Sequence, residues 1–176
     1  MAPRMMMRSV RLMTVTAALM AVAGCKDSPT APSPETATFE AQLSPANEVP
    51  PVSNPEASGS GTVTVTMKIN RDSGGAITSA TADFAVSLVG FPVTTAISMA
   101  HIHRGAVGVV GPVVVDTGIT LGEVVLVNGA GYFTKTGISV DPVLAQEILS
   151  GPAGFYFNVH STLNAPGVAR GHLVRK

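Results

Sequence analysis

The sequence predicts an all-β protein, a Greek-key sandwich of about eight strands with one short helix. Three observations carry that prediction. Residues 62–69 alternate strictly, with Val63, Val65, Met67 and Ile69 on one side and Thr62, Thr64, Thr66 and Lys68 on the other. A period of two over eight residues marks a strand with one buried face. After the turn cluster Asn70–Gly75, a second alternation begins, in which Ala80, Ala82, Phe84, Val86 and Leu88 share a side. The two segments therefore predict a hairpin. Elsewhere 18 glycines and 13 prolines break the chain into short apolar runs, and only one run carries helix signals.

The elements follow in order. Residues 1–11 hold Arg4, Arg8 and Arg11 and no acid, and residues 12–24 hold no charge. A basic segment followed by an apolar one describes a signal peptide over 1–24, and about 13 apolar residues is short of the roughly 20 that span a bilayer. It ends Val22-Ala23-Gly24-Cys25, which resembles the lipobox of bacterial lipoproteins. That resemblance implies cleavage before Cys25, attachment of diacylglycerol and a further acyl chain such as palmitate, and a membrane as the partner through this anchor. It places the protein in the cell envelope. Lys26, where aspartate would retain a lipoprotein at the inner membrane, implies the outer membrane in a cell that has two. Cys25 is the only cysteine, so no internal disulfide forms. Residues 25–37, the lipidated cysteine and a stretch rich in Pro, Ser and Thr, read as an extended tether. The folded domain then spans 38–176. Its further strand candidates are 38–43, 93–103, 112–116, 123–127, 131–139, 154–161 and 169–175. Asp141 as a cap, Pro142 at the first helical position and Gly151 as a stop frame a helix of about two turns.

Composition excludes several functions. The 11 basic and 11 acidic residues cancel, and removal of 1–24 takes away three arginines, leaving 8 basic against 11 acidic. No basic patch marks a nucleic-acid partner. Tryptophan is absent and aromatics make up 5% of the chain, too few for an extended stacking surface.

Three clusters stand out. The first is Ala46-Asn47-Glu48-Val49-Pro50-Pro51-Val52. The second is His101-Ile102-His103-Arg104-Gly105 running to Gly108, Gly111 and Pro112. The third is Phe155-Tyr156-Phe157-Asn158-Val159-His160-Ser161-Thr162, continuing through Pro166-Gly167-Val168-Ala169-Arg170-Gly171-His172. In this order and spacing they resemble the CHRD domain family, named for the repeated domain of chordin, over about residues 38–175. Ser161 stands where threonine is usual, Val168-Ala169 where Glu-Ile is usual, and His172 where glutamine is usual. The resemblance implies an immunoglobulin-like or superoxide-dismutase-like β-sandwich, no enzymatic activity, and a binding or structural module for an unidentified protein or small ligand. It marks Glu48, Gly105, Gly108, Gly111, Asn158 and Arg170 as motif residues.

The histidines carry the chemistry. His101 and His103 are two apart on a predicted strand and so share a face, which the alternation also gives to Ile97 and Met99 as an inward row. Asn158 and His160 share a face opposite Phe157 and Val159. If the two strands are neighbours, three imidazoles converge. The sequence calls for no cofactor, yet three histidines suit Cu or Zn. His-x-His also resembles the copper-binding strand of Cu,Zn superoxide dismutase, although four histidines fall short of the six, with an aspartate, that such an enzyme needs. The other reading makes these histidines, with Asn158 and Arg170, hydrogen-bonding anchors for the Gly105–Pro112 loop, and Glu48 a turn anchor. His160 and Ser161 are adjacent and point to opposite faces, so no nucleophilic dyad follows.

Overall fold

The computed structural model describes residues 33–176. The leader, Cys25 and most of the tether lie outside the described residues. Among the described residues, nine strands form two antiparallel sheets. The first comprises β1 (Glu35–Leu43), β2 (Ser60–Arg71), β3 (Ile77–Val89), β6 (Gly131–Val140) and β9 (Val174–Arg175), in the order β6-β3-β2-β1-β9. The second comprises β4 (Ile97–Arg104), β5 (Val113–Asp116), β7 (Phe155–Ser161) and β8 (Ala169–His172), in the order β5-β4-β7-β8. From β3 the chain crosses to the second sheet for the β4–β5 hairpin, then returns with β6 beside β3. Four consecutive strands whose first and last are neighbours make the Greek-key connection.

The predicted hairpin is present, with Val65 opposite Phe84 and Met67 opposite Ala82, and both apolar rows are buried. They pack on Ala100, Ile102, Phe157 and Val159 of the second sheet, and the Phe84 and Phe157 rings meet at 5.8 Å between centroids. The helix α1 (Pro142–Ser150) begins as the sequence predicts. The Asp141 carboxylate accepts from the backbone N–H of Val143 and Leu144. Leu144, Ala145, Ile148 and Leu149 join the core. Among the described residues no helix is long and apolar enough to cross a membrane.

Four boundaries differ from the sequence reading. β1 starts at Glu35 and buries Ala37, so residues 35–37 are strand rather than tether. β4 starts at Ile97, because Pro92 opens a turn closed by the Thr95 N–H. Residues 123–127 form no strand. Val124 is buried and Leu126 half-buried, which keeps the alternation, but Asn128 and Gly129 at positive φ fold the segment back within two residues. Residues 169–175 divide at Leu173, which enters the core where the chain passes from one sheet to the other.

Candidate metal centre

The inward row of β4 is not the predicted one. The pairing with β7 slips by one residue between Ile97 and Met99, so a bulge at Ser98 reverses the alternation. Ala100 and Ile102 enter the core with Ile97, while Met99, His101 and His103 face outward, away from the apolar core. On β7 the prediction holds, with Phe157 and Val159 inside and Asn158 and His160 outside. The outward face is nevertheless buried: His101 and His103 are each 7% exposed and His160 5%. Three segments cover it. The stretch after β1 delivers the Asn47 carbonyl to Arg170, the loop after β4 delivers Gly111 to His103 and Tyr156, and the loop after β7 delivers Ala165 to His160.

The register sets the array. His101 lies opposite Asn158, Met99 opposite His160 and His103 opposite Tyr156. Arg170 follows beyond Asn158 and His172 beyond Tyr156. The His103 ring stacks on Tyr156 at 4.9 Å, and the Arg170 guanidinium lies 4.7 Å from the same ring. The three imidazoles then converge, as the sequence allowed: one ring nitrogen from each lies within 4.8 Å of the others.

Hydrogen bonding fixes which nitrogens are free. His103 Nδ1 is 2.9 Å from the Gly111 carbonyl and His160 Nδ1 is 2.8 Å from that of Ala165. A carbonyl only accepts, so both Nδ1 atoms carry the proton and both Nε2 atoms of the neutral rings are bare. His103 Nε2 is buried with no partner. His101 Nε2 lies 3.5 Å from an Asp116 carboxylate oxygen, which also only accepts. With the proton there, His101 Nδ1 is bare, 3.2 Å from the bare Nε2 of His160. With the proton on Nδ1 instead, a bare Nε2 faces the carboxylate. An additional proton would relieve either arrangement, but burial lowers all three pKa values below the ordinary 6.5; His160 lowers that of His101 further while Asp116 opposes, and the Gly111 and Ala165 carbonyls oppose the lowering at His103 and His160. A cation relieves all of it. Tetrahedral Zn–N bonds of about 2.05 Å place nitrogens about 3.3 Å apart. The His101–His160 pair is already at 3.2 Å. Two carbonyls and one carboxylate on the far nitrogens are the supports that orient histidine ligands at metal sites.

Beside this centre lies a second polar group. Asn158 and Arg170 are 2% exposed and Glu48 is buried too. Arg170 donates to the Asn47 and Val109 carbonyls, so it ties the Glu48 segment and the Gly105–Pro112 loop to β8, as the anchor reading expected. Asn158 makes no such bond, and its Oδ1 is unpartnered. The Glu48 carboxylate is not a turn anchor. The turn is closed by the backbone N–H of Glu48 on Pro45, whereas Oε2 stands 4.0 Å from Arg170 Nε and Oε1 has no partner. Burial raises the Glu48 pKa to about 7 against the pull of Arg170. Of the five buried polar side-chain atoms without a partner among the described residues, four belong to Glu48, His103, Asn158 and Arg170. In the covering loop, Gly111 has to be glycine, because a Cβ would stand 1.6 Å from the Arg104 carbonyl oxygen. Gly108 turns the loop at φ +78°, and Gly105 packs against Tyr156.

The family model for the CHRD domain matches residues 39–173. The chain belongs to the CHRD domain family. No curated protein and no solved structure matches it at a significant level. All three CHRD clusters named from sequence thus meet on the outer face of one sheet and the segments that cover it. Sequence reasoning missed Asp116 and Glu56, and gave Tyr156, inside the third cluster, no role. The hairpin register, read through the Gly105–Pro112 loop, would have placed Asp116 opposite His101. Nothing local marks Glu56, a buried carboxylate that accepts from the Ser161 hydroxyl at 2.6 Å and from the Asn164 amide. That contact engages Ser161 away from His160, so the two form no dyad.

Proposed function

We propose that this CHRD protein is a lipid-anchored envelope protein whose domain is a metal-binding module, taking Cu or Zn at His101, His103 and His160. One observation carries the reading. One ring nitrogen of each histidine converges in a buried site, those of His103 and His160 bare, while the opposite nitrogens face two carbonyls and a carboxylate. Hydrogen-bond anchoring alone would account for the contacts to Gly111 and Ala165, but not for an unpartnered His103 Nε2. The role is binding rather than catalysis, with Ser161 and Asp116 both engaged structurally. The anchor rests on the sequence ending at Cys25, and two or more acyl chains hold a protein stably on a membrane.

Metal-free protein, loaded with zinc or copper and desalted, should retain one ion per chain. His103→Ala and His160→Ala should each retain none while remaining folded by circular dichroism. Full retention in both variants would sink the metal reading. Cys25→Ser should move the protein from the detergent phase to the aqueous phase or leave its leader uncleaved, and unchanged partition would refute the anchor.

A further inference from the structure

Beyond residue 20 the chain has two methionines. Met67 is in the core at 1% exposure, where any apolar side chain of its size would serve. Met99 is 39% exposed and lies on the polar outer face of β4. The Ser98 bulge puts it there. Met99 shares the face of His101 two residues on, and pairs across the strand with His160. Side chains directly opposite in an antiparallel pair have Cβ atoms about 5 Å apart. A thioether on three rotatable bonds spans that distance readily. The carboxylate nearest the three histidines, that of Asp116, faces the far nitrogen of His101 and so supports a ligand instead of being one. Among the described residues, no Cys, Asp or Glu joins the three histidines as a fourth donor.

We propose that Met99 supplies a thioether fourth ligand and makes the site selective for copper(I). The inference rests on the metal reading above and adds the identity of the ion. Imidazole accepts zinc and copper alike, whereas a soft thioether favours copper(I) and contributes little to a zinc site. Met99 is also partly exposed where the three histidines are buried, so its side chain is accessible to an incoming ion.

Met99→Leu is the test, since it keeps volume and hydrophobicity at a partly exposed position and costs little stability. Copper(I) affinity is measured without oxygen by competition with a chromogenic copper(I) chelator. Zinc affinity is measured in parallel with a zinc chelator. The expected result is a copper(I) affinity at least tenfold weaker in the variant and a zinc affinity within twofold of the parent. Equal copper(I) affinities would overturn the proposal while leaving the histidine site standing. A matched loss for both ions would overturn it too, since Met99 would then act through the fold. Failure of the parent to retain either ion would sink the metal reading itself, and the thioether with it.

Discussion

The two faces of β4 and β7 are built from alternate residues of the same seven- and eight-residue strands and obey different rules. The inner face presents Ala100, Ile102, Phe157 and Val159 to an apolar core. The outer face presents His101, His103, Tyr156, Asn158 and His160 to a layer of loops, and it is buried almost as completely. Apolar burial is non-directional, so the inner face asks only for volume and shape. A buried polar face needs a partner for each donor and acceptor, and here His103 Nε2 and Asn158 Oδ1 lack one, as do atoms of Arg170 and Glu48 beside them. A core gains nothing from such gaps. A site that receives an ion or polar ligand is the place for them, and the difference between the faces therefore separates what stabilises this fold from the proposed ion site.

The largest effect expected lies on the core side. Phe84 is buried against Phe157, and Phe84→Ala should cost about 3–5 kcal/mol in urea unfolding. Its neighbour Asp83 points to the opposite side, pairing with Lys68 at 2.7 Å and accepting from the Gly137 N–H. Asp83→Ala should cost about 1 kcal/mol or less. Equal losses at the two positions would show that the sheet has no single buried side. Metal retention should survive both substitutions in whatever fraction remains folded.

A smaller effect separates the polar layer by pH. The Glu48 pKa is raised from 4.5 to about 7, so between those values the folded protein holds a proton that the unfolded chain has released. Stability from this group therefore falls as pH rises through that window, by on the order of 2–3 kcal/mol once above it. The histidines work the other way. Their lowered values mean that the unfolded chain binds protons first as pH falls below 6.5, so stability drops on acidification. Glu48→Gln leaves the histidine trend in place and removes the other. Its stability relative to the parent should therefore rise by roughly 2 kcal/mol between pH 5 and pH 7.5. A pH-independent difference would mean that Glu48 is ionised in the folded protein throughout.

The same contrast explains what could be read in the sequence. The β2–β3 hairpin was legible because one side of each strand meets solvent, so polarity alternates. The helix was legible through Asp141, Pro142 and Gly151. β7 gave its faces away because Phe157 and Val159 contrast with Asn158 and His160. β4 misled for a physical reason: a bulge at Ser98 leaves no mark in composition, yet it moves Met99 and both histidines to the other face. Residues 123–127 misled because alternate burial can occur without a ladder. That the polar face is buried at all was not legible, since two covering loops follow β4 and β7 directly but nothing local shows that they fold back over the face, and the third segment, after β1, reaches it through Arg170. The convergence of the three histidines was legible, but Asp116 beside them required the register.

The central claim is that the outer face is an ion site, and anomalous X-ray diffraction from crystals of the copper- or zinc-loaded protein tests it most directly. The account predicts a single anomalous peak about 2 Å from His101 Nδ1, His103 Nε2 and His160 Nε2. The contacts of the far nitrogens to Asp116, Gly111 and Ala165 should remain intact. Loaded crystals in which the three rings keep their places and no peak lies between them would contradict it.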